Sequence, residues 1–175
     1  MQQDIRNQLD RAIRRFLEGH QLKYKVDDDG DYHLVVGFSQ VPIRARMLLL
    51  KQGAQGEILS VVVRYEGPYV FSEEEALRKA NKWNMERRWP RIYWRDGHFY
   101  GDFHLDCEVG ISQRLVELTL HRVLMGSLQF LLSLGGHQVL GDSGASLFHE
   151  EHSESLGSFL QGLLDRGLKT HSLPN

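Results

Sequence analysis

Between residues 112 and 134 the chain reads SQRLVELTLHRVLMGSLQFLLSL. Leu115, Val116, Leu118, Leu120, Val123, Leu124, Met125, Leu128, Phe130, Leu131, Leu132 and Leu134 spread around nearly the whole circumference of the helix this pattern predicts. A helix that is apolar on every side has to be covered on every side. Glu117, His121, Arg122 and Gln129 interrupt the run. Each is costly in lipid, so a core helix is expected here and not a membrane span. One sheet covers one side of a helix. The other side must meet the first helix, a tail helix at 156–164, or a second copy of the chain. A homodimer through Leu118, Met125, Leu128 and Leu132 is the expected arrangement, and docking of the tail helix is the alternative.

Upstream, Ile5, Leu9, Ala12, Ile13, Phe16 and Leu17 recur at three- and four-residue steps, which predicts an amphipathic first helix closed at Gly19. LKYKVDDDGDYHLVVGF follows and reads as a hairpin with a type I′ turn at Asp29-Gly30. In VPIRARMLLLK the residues Ile43, Ala45, Met47 and Leu49 alternate with Arg44 and Arg46, and EILSVVVRY comes after the turn signal QGAQG. Neighbouring strands joined by short turns favour an antiparallel sheet. Ser72 with Glu75 forms a capping box for a second helix, which must stop before Pro90. RIYWRDGHFYGDFHLDC then gives another hairpin, turning at Asp96-Gly97. The fold class is therefore α+β, an antiparallel sheet with helices packed on it. Three segments are expected: a folded domain over 1–138, a flexible linker over 139–150, and an amphipathic tail helix with the C-terminus over 151–175.

The second hairpin carries the candidate site. All three tryptophans of the chain, Trp83, Trp89 and Trp94, lie close to Arg87, Arg88, Arg91 and Arg95. A two-residue turn at Asp96-Gly97 sets Arg95 opposite His98, Trp94 opposite Phe99, Tyr93 opposite Tyr100 and Arg91 opposite Asp102. Side chains alternate between faces, so Ile92, Trp94, Phe99, Phe103, Leu105 and Cys107 share a core side. Arg91, Tyr93, Arg95, His98, Tyr100, Asp102, His104 and Asp106 share the other. Arg91, Tyr93, Arg95 and Tyr100 are the candidate partner-binding residues. Residues 78–95 hold seven basic side chains against Glu86 alone, although the whole chain has a formal net charge of −2. The alternative function is thus a nucleic-acid-binding regulator using Arg87, Arg88, Arg91, Arg95 and Tyr93.

Motifs for chemistry are weak. Asp102, His104 and Asp106 are spaced by two along one strand, about 6–7 Å apart, too far to share one ion without a second element. DDDGD at 27–31 lacks the calcium-loop carboxylates at the first and last positions, and HEEH at 149–152 lacks the zincin histidine spacing. GDSG at 141–144 matches a serine-protease nucleophile loop, but the pattern continues into helix and not into a β-barrel. Cys107 is the single cysteine and sits on the core side, as a small hydrophobe. No catalytic residue, metal or cofactor is expected. The lone cysteine and the charged N-terminus, MQQDIRNQLDRAIRRF, point to a cytoplasmic protein made without a signal peptide.

The stretch ALRKANKWNMERRWPRIYWRDGHFYGDFHLDCEVGIS, over 76–112, resembles the bacterial YbjN family, described as sensory transduction regulators. The Asn81-x-Trp83-Asn84 cluster, the Asp-Gly hairpin after a short aromatic strand, and the exit from Asp106 to Gly110 into a long apolar helix carry the likeness. It extends over 4–136. The resemblance implies a fold similar to the type III secretion chaperones, in the order helix, strands, helix, hairpin, helix, with a dimer as the usual state. It also implies a small non-enzymatic regulator or chaperone-like binder of a protein segment, with Asn81 and Asn84 tying a helix to neighbouring backbone.

Overall fold

In the computed structural model the described residues are 2–38, 41–68, 71–135 and 168–171. The tail helix, the linker, GDSG and HEEH lie outside them. The order is α1 (Gln2–Gly19), β1 (Lys25–Val26), β2 (Tyr32–Phe38), β3 (Arg44–Gln52), β4 (Ile58–Glu66), α2 (Glu73–Glu86), β5 (Arg91–Arg95), β6 (His98–Asp106), α3 (Gln113–Gly135) and β7 (Leu168–His171). The class is α+β, in the anticipated sequence of helix, strands, helix, hairpin and helix. The strands form one antiparallel sheet ordered β1-β2-β3-β4-β6-β5, with β7 also paired to β2.

Alternation decides which face of the sheet is core. Tyr32, Leu34, Val36 and Phe38 of β2, Ala45, Met47 and Leu49 of β3, and Leu59, Val61, Val63 and Tyr65 of β4 are all buried. Their registers place them on one side, with Ile92, Phe99 and Gly101 from the last hairpin. The described helices pack there. Phe130 of α3 meets Tyr65, Trp83 and Phe99 edge-on, with ring centroids 4.9, 5.2 and 5.2 Å apart. Such contacts add about 0.5–1.5 kcal/mol each to the burial itself.

The all-round apolar helix is covered largely from within the chain. α3 meets the sheet through Phe130, and its Val116, Leu120, Val123 and Leu131 are buried in the same core. The flank toward α1 brings Gln113 and Glu117 to Arg15. Leu128, expected at a dimer contact, is 1% exposed and belongs to the chain's own core. By length and composition Gln113–Leu134 would suffice to cross a membrane, and in this fold its apolar side chains are used in packing.

Two local expectations are corrected. The turn at Asp29-Gly30 is not a two-residue type I′ turn: Val26 pairs with Tyr32, leaving a five-residue loop. The Asp27 carboxylate accepts from the amides of Asp29 and Asp31, at 3.1 and 2.9 Å, and its other oxygen lies 2.7 Å from His33 Nε2. A side chain that holds the backbone in this way replaces the tighter turn. The first helix closes through Gln21, at φ 52°, and not through Gly19. Leu22 N donates to Leu17 O and Gln21 N to Glu18 O, the paired bonds of a Schellman end.

Candidate functional site

The corner between α2 and β5 positions the candidate residues. The Ser72 hydroxyl accepts from Glu75 N while the Glu75 carboxylate accepts from Ser72 N, so α2 starts on a capping box. At its other end the Trp83 indole N–H donates to Pro90 O at 2.9 Å. The Asn84 side-chain amide brackets Ile92, donating to its carbonyl at 2.8 Å and accepting from its N–H at 2.9 Å. Asn84 thus acts as a short strand partner that fixes where β5 begins. Asn81, grouped with it in the sequence, instead faces the Met85 sulfur. Trp89 is half-buried, edge-on to Phe103 at 5.8 Å and capped by the Arg122 guanidinium at 5.0 Å.

From that corner the hairpin runs in the anticipated register. Asp96 and Gly97 have φ of 49° and 75°, both positive as a type I′ turn requires. Arg91 faces Asp102, Tyr93 faces Tyr100, Trp94 faces Phe99 and Arg95 faces His98. Arg91, Tyr93, Arg95 and Tyr100 therefore share the sheet face opposite the helices. The Tyr93 and Tyr100 rings stack at 5.6 Å with 13° between planes. Burial, and next the Asp102 carboxylate, push the Tyr93 hydroxyl above its ordinary pKa, so it remains a neutral donor. Arg91 and Arg95 are mostly exposed and hold Asp102 and Asp96 at 3.2 and 3.0 Å.

The face extends beyond the hairpin. Strand register aligns Val35, Arg46, Arg64, Tyr100 and Tyr93 in a row across β2, β3, β4, β6 and β5. Arg44, opposite Glu66, belongs to the next row. Arg46 forks onto Glu66 through two bonds of 3.0 and 3.3 Å, and Arg64 lies 3.9 Å from the same carboxylate. Arg64 Nε is buried with no hydrogen-bond partner among the described residues. Five arginines (44, 46, 64, 91 and 95) thus share the face with Glu66, Asp102 and Asp106. Fixed positive charge beside half-buried, stacked tyrosines suits an acidic polypeptide surface. Arg44, Arg46 and Arg64 were not among the anticipated site residues. The alternation in β3 marked the first two as polar-face residues, but only the β4–β6 pairing sets Arg64, and Arg46 beyond it, in line with Tyr100.

Most of the basic run behind the nucleic-acid alternative belongs to α2 and the residues just after it. Arg87 lies over the Trp83 ring at 6.0 Å, Lys79 over Phe71 at 4.8 Å, and Arg78 and Lys82 pair with Glu74 and Glu86 along α2. The acidic and histidine residues of the β6 face are similarly occupied. Asp102 holds Arg91, Asp106 accepts from Glu108 N, and His104 Nδ1 lies 2.7 Å from Ser60 Oγ. The Ser60 hydroxyl donates to Gln52 at 2.6 Å, so its proton is directed away from the histidine, the reverse of an activated serine. Burial raises the Cys107 pKa, which keeps it a thiol. On α3, Leu115, Leu118, Arg122, Met125, Gln129 and Leu132 form a stripe at alternating three- and four-residue steps. Leu115 is 43% exposed, and Leu118, Met125 and Leu132 are half-buried.

The class is set by these features: a small α+β domain whose antiparallel sheet is backed by helices on one side and carries an arginine-tyrosine face on the other. Residues 10–135 match the YbjN family model, described as "Putative bacterial sensory transduction regulator". The chain belongs to that family. No curated protein matches it.

Proposed function

We propose that this chain is a non-enzymatic, chaperone-like regulator that binds a segment of another protein, acts in the cytoplasm and works as a homodimer. The observation that carries the reading is the sheet face opposite the described helices, where Tyr93 and Tyr100 stand in register with Arg46 and Arg64 and are flanked by Arg91 and Arg95. Membership of a regulator family supports it. The half-exposed stripe of Leu118, Met125 and Leu132 supports a second copy as the partner of α3. Affinity capture with the full chain, compared with a Tyr93→Ala, Arg95→Glu variant, tests the face. A discrete protein retained by the parent and lost by the variant is expected. Equal recovery by both, or retention only of single-stranded nucleic acid released by salt, contradicts it.

A further inference from the structure

Among the described residues, strand β2 has a full neighbour on one side only, where 32–37 pair with β3. Its other edge is shared by two short pieces. Lys25 and Val26 of β1 pair with His33 and Tyr32, and the four residues of β7 pair with Phe38, Gly37, Val36 and Val35. Over 35–38 that edge reads VVGF, with neither a charge nor a proline, and Val35, Val36 and Phe38 are all buried. An apolar, uncharged edge is the kind that captures any extended chain offered to it, which proteins ordinarily prevent with charged or proline gatekeepers. Here the cover comes from the far end of the chain. The second observation is where the family ends. The match stops at residue 135, so the acceptor edge belongs to the shared domain while β7 lies beyond it.

We propose that the β2 edge over 35–38 is an acceptor site for an extended polypeptide segment added antiparallel to β2, and that Leu168–His171 is the chain's own occupant of it. The proposal rests on the reading that the chain binds a protein segment, and adds a second place and a defined form for such binding, at the sheet edge away from β5. Main-chain hydrogen bonds provide affinity in such a mode, and alternate side chains provide selection. The best partner carries apolar residues at the two positions facing Val36 and Phe38, which Thr170 and Leu168 occupy in register. Since β7 belongs to the same chain, its pairing is intramolecular and lowers the apparent affinity of any incoming strand. The β1 pairing at Tyr32 bounds the slot, so a short segment fits it.

The test uses the full chain with a fluorescein-labelled peptide of residues 165–174, DRGLKTHSLP, as probe. Thr170→Pro removes a strand N–H and loosens the resident strand. The variant is expected to bind the probe about tenfold more tightly than the parent chain, with faster amide exchange over 35–38 that added probe slows again. A probe with proline in place of Thr170 should not bind. Unchanged exchange over 35–38 in the variant overturns the proposal. So does faster exchange without tighter binding, which would leave β7 a structural strand alone. Failure of the arginine-tyrosine face reads differently, because the Tyr93→Ala, Arg95→Glu substitutions leave probe binding at the β2 edge intact.

Discussion

Lys51 is the deepest charge whose pairing the structure defines, with a side chain 4% exposed. Its ammonium meets Asp10 at 2.8 Å, and the same carboxylate accepts from Tyr32 at 2.6 Å and Arg14 at 2.9 Å. Burial alone would raise the Asp10 pKa, but the bonds from Lys51, Tyr32 and Arg14 outweigh it and bring the group to about 2. Removing one partner of a buried pair leaves the other charge uncompensated, so Asp10→Ala should cost about 3 kcal/mol in urea unfolding. Lys51→Met, which removes the charge and keeps the volume, should cost distinctly less. His20 and His121, at the α1–α3 junction with Glu117, Arg122 and Arg15, are held by contrast in their uncharged form. Burial lowers both pKa values, with His20 and Arg122 adding to the effect at His121 and Glu117 opposing it at His20. The unfolded chain therefore takes up protons first as pH falls below about 6.5. Stability should be full above that pH and decline beneath it, then decline again as Asp10 protonates below its ordinary 3.8. Urea midpoints at pH 7.5 and 5.5 check the first step, and a His20→Gln, His121→Gln double variant should show a smaller difference between them.

At the scale of elements, the α2–β5 corner and α3 are interlocked. A Cβ on Gly126 would lie 2.3 Å from Trp89 O, so the helix sits against the corner at a distance that only glycine permits. Gly126→Ala should cost about 1–3 kcal/mol by pushing α3 off the corner. Asn84→Leu should cost about 1–2 kcal/mol through the two bonds lost to Ile92. Both are read from thermal unfolding followed by circular dichroism. These contacts also show what the sequence could disclose. Asp96-Gly97 lies between two strong alternating strands, and its turn and register followed from the residues. Asp29-Gly30 is the same dipeptide, but Asp27 captures nearby amides and widens the loop. At the end of α1 glycine was the natural choice for the closing position, yet Gln21 takes the left-handed conformation while Leu22 is buried behind it. Local propensity was overridden in both places by a hydrogen bond or a contact from outside the turn.

For the whole molecule, the element order was legible and the strand order was not. Nothing in the local pattern says that β6, and not β5, pairs with β4, yet that choice joins the arginines of β3 and β4 to the Tyr93–Tyr100 pair. The apolar excess of α3 was legible too, but its coverage was not. Leu128 went to the core, leaving Leu118, Met125 and Leu132 as the stripe on which the homodimer proposal rests. Light scattering should give a two-chain mass for the parent and a one-chain mass for a Leu118→Asp, Met125→Glu variant. A one-chain mass for both at every concentration contradicts the dimer. The central claim is that the arginine-tyrosine face meets a protein, and a photo-crosslinking residue placed at Tyr100 of the full chain in living cells tests it most directly. One discrete heterologous protein should become attached, and the attachment should disappear with Arg46→Glu and Arg95→Glu. Adducts unchanged by those substitutions, or adducts to nucleic acid alone, would contradict the account.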